Sequence, residues 1–180
     1  MSFKADFMWG AASAAAQIEG AYNEDGRKNS IWDVLYEGHT KHNDSPHVAC
    51  DHYHRYKEDI ALMKEMGLKY YRLSLSWSRL LPDGTGAINQ KGIDFYNDLF
   101  LELKKAGIEP MVTIYHWDLP YELYRKGGWE NDDSPLWFEE YTKLVVDKFS
   151  DKVKYWMTFN EPNCFIGISY KDACHAPFLD

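Results

Sequence analysis

Glu161 is the residue of this sequence best placed for acid–base chemistry. It lies in the segment 158–162, Thr-Phe-Asn-Glu-Pro, which ends an apolar, β-branched and aromatic run that starts at Val153. The run predicts a buried strand, and Pro162 cannot donate to a continuing ladder, so we expect the strand to end at Glu161. A carboxyl group at this end of an α/β sheet or barrel faces the place where ligands bind. The alternative interpretation is a turn that only closes the strand.

Polar side chains follow four predicted strands in succession. They are Gln17 after the first, the segment 72–79 around the second, His116-Trp117-Asp118 after the third and Asn160-Glu161 after the fourth. The carboxyl ends of parallel strands lie at the same edge, so this pattern predicts a pocket there. Taken singly, each residue has a structural alternative: Gln17 as a strand-end cap, Arg72 as an ordinary buried ion-pair partner, and Trp117 as part of the core.

The elements that would position these residues alternate between strand-like and helix-like patterns. Strands are predicted over 7–13, 69–77, 109–116 and 153–159, and helices over 54–66, 89–107 and 134–149. Asn89 and Ser134 are the expected N-caps, with Pro135 in the first turn of the third helix. Residues 19–53 are expected to form a long polar loop over one end of the sheet. The alternation predicts an α/β fold of about four strands and three crossover helices.

Composition narrows the class of partner. The 180 residues are 45% hydrophobic and carry a net charge of -8 without a Lys/Arg-rich run, which argues against nucleic acid and anionic membranes as partners. A neutral or cationic small ligand fits better. No apolar stretch approaches the ~20 residues that span a bilayer. Residues 1–6 lack the pattern of a signal peptide, so we expect a cytoplasmic protein.

Cysteines and aromatic residues each need an interpretation. Cys50, Cys164 and Cys174 are odd in number and match neither a disulfide framework nor a zinc site, so we expect free thiols. The seven Trp and thirteen Tyr residues have two explanations: large core anchors, or flat platforms for the apolar face of a ligand such as a sugar. Composition does not separate them.

A metal-binding module is an alternative of a different class. Its candidate ligands are His39, His42, His47, Cys50, Asp51, His52 and His54. Their spacing matches no closed structural site, and a polar loop with solvated or packed histidines is the simpler interpretation. We therefore expect no metal here.

Four motifs, in order from the first residues to the last, resemble glycoside hydrolase family 1. They are 7–13 with 17–20 (Gln-Ile-Glu-Gly), 71–79, 115–120 (Tyr-His-Trp-Asp-Leu-Pro) and 158–162. The segments 83–97 and 127–129 (Gly-Gly-Trp) also look like the β-glucosidases of that family. The resemblance implies a TIM (β/α)8 barrel and a carbohydrate-metabolism enzyme that hydrolyses β-glucosides, β-galactosides or their 6-phospho forms with retention. No cofactor is expected.

The resemblance also implies roles for individual residues. Glu161 would be the general acid/base, and Asn160 would bind the sugar 2-hydroxyl, a contact that strengthens in the transition state. Arg72 would orient the nucleophilic carboxylate and keep it ionised. The residues expected to bind the non-reducing sugar are Gln17, His116 and Trp117.

Only half of the catalytic pair is present. Retaining hydrolysis needs a nucleophilic carboxylate beside the acid/base. In the family it belongs to a Thr-Glu-Asn-Gly-like motif after the seventh strand, and the only similar segment here, 23–26 (Asn-Glu-Asp-Gly), precedes the second strand. Residues 1–180 are therefore expected to be one domain, the N-terminal half of a barrel of about four βα units, with the C-terminal half absent. We expect negligible turnover from the isolated chain.

Half a barrel leaves two strand edges and one sheet face uncovered. We therefore expect this chain to pair with a C-terminal half-barrel or with a second copy of itself as a homo-oligomer, and otherwise to aggregate. A catalytically silent sugar-binding or structural half-barrel is the remaining alternative.

Overall fold

The computed structural model describes residues 2–179, and its centre is a four-stranded parallel sheet. The strands pair in chain order and are β1 (Gly10–Ala12), β2 (Tyr70–Ser74), β3 (Glu109–Tyr115) and β4 (Tyr155–Phe159). Parallel neighbours must be joined by crossovers, and helices fill each connection. The predicted α/β half-barrel of four strands is confirmed.

Three long helices form the main crossovers: α3 (His52–Glu65), α5 (Gln90–Lys105) and α7 (Ser134–Phe149). The short α-helices are α1 (Ala15–Ile18), α2 (Ile31–Val34), α4 (Trp77–Leu80), α6 (Tyr121–Tyr124) and α8 (Pro162–Cys164). Two 3₁₀ turns, Lys41–Asn43 and Gly128–Glu130, and a π-turn, Phe165–Ser169, complete the structure. Within residues 2–179, no helix combines the length and the apolarity needed to cross a membrane.

The three predicted helices are confirmed, with changes at their starts. α3 begins at His52, two residues before the predicted start. The N-cap predicted at Ser134 is wrong, because Ser134 is already the first residue of α7 and Asp133 is its N-cap. Asn89 precedes α5 as expected, but its side chain does not cap the helix. Instead its amide donates to the carbonyls of Asp25 and Arg79, both at 2.9 Å, and so fastens the 19–53 segment to α4.

The first strand is shorter and more exposed than expected. The buried strand predicted over 7–13 is wrong: only Gly10–Ala12 is a strand, and its three residues are exposed. It pairs with β2 alone, so its other edge has no neighbour within the described residues. Gly10 is required by close approach, because a Cβ there would lie 2.2 Å from the carbonyl oxygen of Tyr70.

The last strand also differs from the expectation. β4 runs from Tyr155 to Phe159 and is half-buried, with Thr158 exposed. The predicted end at Glu161 is wrong. The Asn160 N–H still donates to β3, but Glu161 adopts φ +44° and turns the chain out of the sheet.

The core lies between the sheet and helices α5 and α7. Val112 on β3, Phe100 on α5 and Phe149 on α7 are each 0% exposed. Trp77 stacks on Tyr141 with ring centroids 4.5 Å apart and planes 5° from parallel. Most of the aromatic residues belong to the core or pack against it, which accounts for most of the aromatic surplus.

Candidate active site

Arg72 connects three neighbouring strands. Its Nε–H donates to Thr113 Oγ1 at 2.9 Å, and its Nη2–H donates to Asn160 Oδ1 at 2.7 Å. Arg72 lies on β2, Thr113 on β3, and Asn160 directly follows β4. Two of the residues predicted to converge at the strand ends, Arg72 and Asn160, therefore touch.

Asn160 is buried and fixed on several sides. Its backbone N–H donates to the Tyr115 carbonyl at 3.0 Å, and its own carbonyl accepts from Trp117 Nε1 at 2.8 Å. Its side-chain oxygen already accepts from Arg72, which turns the amide nitrogen into the donor that this side chain can offer a ligand. That nitrogen is a donor and can bind a hydroxyl oxygen.

Glu161 sits at the start of α8 with its side chain exposed. Its φ of +44° lies in the left-handed region, which residues other than glycine rarely adopt. Its carbonyl accepts from the backbone N–H groups of Cys164 and Phe165, at 2.9 Å and 3.2 Å. The backbone on both sides of Glu161 is therefore held, while its carboxyl group is open to a ligand.

A cavity of ≈ 330 Å³ lies beside these residues and contains three of the predicted sugar-binding side chains, Gln17, His116 and Trp117. Its further walls are Ala14, Ala16, Trp32, Tyr36, Thr40, Asp44, Pro46 and His175. Aromatic walls with a few polar groups suit a ligand that has both apolar faces and hydroxyls. Glu161, Asn160 and Arg72 are not part of its lining.

His116 is partly buried, and no described residue hydrogen-bonds its buried Nδ1. Burial, followed by the nearby positive charge of Arg72, lowers the pKa of His116 from 6.5 to about 4. The ring is therefore neutral near pH 7. A neutral imidazole has one donor and one acceptor nitrogen, which matches a sugar hydroxyl.

Gln17 is exposed and lies on α1 rather than directly at the end of β1. The first turn of this helix is fastened to the sheet, because the Ala15 N–H donates to Ser74 Oγ at 2.7 Å. Gln17 therefore reaches the cavity from a short helix that follows the first strand.

Trp32 on α2 was not predicted as part of the site, because residues 19–53 are expected from sequence to form a polar loop. A signal was present, because Ser30 and Asp33 have capping-box spacing. The Asp33 carboxylate accepts from the Ser30 N–H and hydroxyl, both at 2.7 Å, and from Arg27 Nη2 at 2.8 Å. These contacts stabilise α2, which places the Trp32 indole in the cavity wall.

Asp118 is one of the polar residues that follow β3, but it does not line the cavity. It is 1% exposed, and neither carboxylate oxygen has a hydrogen-bond partner among residues 2–179. Burial raises the pKa of Asp118 well above its usual range. The backbone just after it is fixed, because the Leu119 carbonyl accepts from the Ile31 N–H at 2.9 Å.

The candidate metal ligands are dispersed. His52 binds Asp59 at 2.6 Å, whereas His54 lies between Asp51 at 2.6 Å and Glu24 at 2.9 Å. Across the described part of the chain, no three His, Cys, Asp or Glu residues are arranged to hold a metal ion. Cys50, Cys164 and Cys174 are free thiols in the structure.

Comparison with known proteins agrees with the motifs. The model of glycosyl hydrolase family 1 matches residues 1–180. β-Glucosidase A of Acetivibrio thermocellus is 50% identical over 184 residues, which cover 98% of this chain and 40% of that protein. An aryl-phospho-β-D-glucosidase of Bacillus subtilis is 49% identical, with coverage of 98% and 38%.

Solved structures give the same result. The β-glucosidase from Thermotoga maritima in complex with glucoimidazole has a TM-score of 0.97 and 47% identity, covering 98% of this chain and 41% of that one. The chain thus spans about 40% of the length of the relatives it matches. The family model covers every residue, and on that evidence the chain belongs to glycosyl hydrolase family 1.

Proposed function

We propose that residues 1–180 form a single domain, the N-terminal half-barrel of a retaining β-glycosidase that acts in carbohydrate metabolism. It would supply the acid/base and part of the sugar site, while another segment supplies the nucleophile. The observation that carries this proposal is the network of Arg72, Asn160 and Trp117 beside the exposed carboxyl of Glu161. A cytoplasmic location stays a prediction.

Glu161 would act twice. In the first step its carboxylic acid gives a proton to the glycosidic oxygen as the C–O bond breaks and the nucleophile bonds to the anomeric carbon. In the second step the resulting carboxylate takes a proton from water as water attacks that carbon and the bond from the carbon to the nucleophile breaks, which frees the nucleophilic carboxylate. The open position of Glu161 supports this role, because both the leaving oxygen and the water must reach its carboxyl group.

Asn160 would bind the 2-hydroxyl of the sugar through its amide nitrogen. The Arg72 contact supports this orientation, since it occupies the amide oxygen at 2.7 Å. The contact lowers the barrier only to the extent that it strengthens as the oxocarbenium-like transition state forms.

Gln17, His116 and Trp117 would hold the non-reducing sugar. Their shared cavity supports the proposal, and so does the lowered pKa of His116, because a neutral ring both donates to and accepts from hydroxyls. The Trp117 ring would take the apolar face of the sugar. A β-glucoside is the proposed substrate class.

The partner that we infer is a C-terminal half-barrel. Arg72 donates to one hydroxyl and one carboxamide, and both of these groups are neutral. Its positive charge therefore suits a carboxylate supplied by the C-terminal half-barrel. A second copy of this chain would instead bring another Glu161. It would cover the free edges but would not supply the nucleophile.

An exposed aromatic cluster supports the need for a partner. Phe3, Phe7 and Trp9 are 64%, 45% and 60% exposed, and they pack on one another with centroids 4.5 to 4.7 Å apart. This apolar surface lies next to β1, one of the two strands whose outer edge has no neighbour within residues 2–179. Burying it would favour association.

The test is a chimera in which residues 1–180 replace the matching segment of the Thermotoga maritima β-glucosidase. The high structural similarity of the two segments makes the junction feasible. We expect turnover of aryl β-glucosides, a fall of about 100-fold or more for Glu161→Gln, and little change for the exposed control Glu139→Gln. An active chimera whose turnover is unchanged by Glu161→Gln would refute the assignment of Glu161 as the acid/base. The isolated 180 residues should show negligible turnover.

A further inference from the structure

Two indole hydrogen bonds connect α2 to the peptide unit between Asn160 and Glu161. Trp32 Nε1–H donates to the carbonyl of Trp117 at 3.1 Å, and Trp117 Nε1–H donates to the carbonyl of Asn160 at 2.8 Å. The path thus begins outside the barrel strands and ends one bond before the backbone nitrogen of Glu161.

Trp117 needs external support for its backbone conformation. Its φ of +74° lies in the left-handed region, which is uncommon for a residue with a bulky side chain. Such conformations persist when surrounding contacts fix them. The Trp32 indole provides one of these contacts, because it binds the carbonyl oxygen of Trp117 itself.

The Asn160 carbonyl controls the orientation of the next residue. The carbonyl oxygen and the Glu161 nitrogen share one rigid peptide plane, so a hydrogen bond to the oxygen limits rotation of the whole unit. Glu161 leaves that plane at φ +44°. The direction of its side chain therefore depends on where Trp117 holds the Asn160 carbonyl.

α2 is a firm starting point for this path. The Ile31 N–H donates to the Leu119 carbonyl at 2.9 Å, and the Tyr121 N–H donates to the Asn29 carbonyl at 2.9 Å. Both bonds fasten the residues that immediately precede Trp32 to the segment that follows Trp117. They limit movement of the start of α2, and with it the Trp32 indole, relative to Trp117.

We propose that Trp32 is a positioning residue for the acid/base, acting through Trp117 on the orientation of Glu161. The inference rests on the proposed function of Glu161. The simpler explanation is that Trp32 only forms part of the cavity wall. That explanation predicts a change in sugar binding that is the same for all leaving groups, whereas positioning predicts a defect in proton donation.

Leaving groups separate the two explanations. A poor leaving group such as phenol depends on a proton from the acid, whereas 2,4-dinitrophenol leaves without one. In the chimera, Trp32→Phe keeps an aromatic ring, removes the indole N–H and makes the side chain smaller, a loss of size that the control variant below shares. We expect kcat/KM for phenyl β-glucoside to fall about 5- to 10-fold, as for loss of one hydrogen bond, and that for the 2,4-dinitrophenyl substrate to stay within about 2-fold.

Trp156→Phe is the matched control, because its indole N–H also donates to a backbone carbonyl, that of Val153 at 3.2 Å, at the other end of β4. It should leave both substrates unchanged. An equal loss on both substrates for Trp32→Phe, or no loss on either, would overturn the positioning role. These results differ from a failure of the proposed function, in which Glu161→Gln itself would leave phenyl β-glucoside turnover unaltered.

Discussion

The indole nitrogen of Trp117 lies 2.8 Å from the carbonyl oxygen of Asn160, so the aromatic wall of the cavity and the backbone before Glu161 form one unit. The sugar binding that we propose for Trp117 and the proton transfer that we propose for Glu161 would then be coupled by a single hydrogen bond. A sugar that displaces the indole would also move the acid.

The first prediction concerns the path from Trp32 through Trp117. Trp117→Phe in the chimera should lower kcat/KM for phenyl β-glucoside more than for the dinitrophenyl substrate. Adding Trp32→Phe to Trp117→Phe should cause no further loss of kcat/KM, because both changes interrupt the same path of hydrogen bonds to the Asn160 carbonyl. Losses that simply multiply would show that the two indoles act independently.

The second prediction concerns the amide nitrogen of Asn160. Asn160→Asp keeps an oxygen for Arg72 but removes the amide N–H that we propose donates to the 2-hydroxyl, so kcat for a β-glucoside should fall about 10- to 100-fold. With the 2-deoxy substrate, which lacks that hydroxyl, the variant and its parent should have similar rates. A large loss on the 2-deoxy substrate as well would mean that Asn160 has a structural role only.

The third prediction is a pH effect of His116. The pKa of His116 is about 4 in the folded protein and near 6.5 when the ring is exposed. Between these two pH values the imidazole of His116 is therefore protonated in the unfolded chain and neutral in the folded protein. Folding stability should therefore fall as the pH decreases through this window. We expect the loss of melting temperature between about pH 7 and about pH 5 to be smaller for His116→Gln than for the parent chimera. Equal losses would contradict the lowered pKa.

The fourth prediction concerns the buried pair of Arg79 and Glu19. Arg79 Nε lies 3.0 Å from Glu19 Oε2, and their side chains are 1% and 6% exposed. Glu19→Gln leaves the guanidinium without a countercharge and should lower the free energy of unfolding of the chimera by about 3 kcal/mol. The exposed pair Lys28–Asp83 is the control, and Asp83→Asn should have a much smaller effect by denaturant titration.

Much of the fold was predictable because the helical and strand periodicities between residues 54 and 159 are strong. That periodicity placed His116 and Trp117 after β3, and both line the predicted pocket. The boundaries at β1 and Glu161 were wrong because single-strand patterns do not reveal which strand lacks a neighbour or where the backbone turns left-handed.

The rest of the candidate site depends on contacts between distant segments. Trp32 and His175 reach the cavity from segments without clear periodicity, and their rings lie 5.8 Å apart although 143 positions separate them in the numbering. Asp118 shows the opposite case. Like His116 it follows β3 directly, yet its side chain is buried in the interior of the protein.

The most direct test of the central claim, that Glu161 is the acid/base of a retaining glycosidase, is azide rescue. The Glu161→Ala chimera should form its glycosyl intermediate from 2,4-dinitrophenyl β-glucoside and then stall, because water has no base to activate it. Azide needs no base, so it should raise turnover about 10-fold or more and give the β-glucosyl azide. Absence of rescue, or formation of the α-azide, would contradict the assignment.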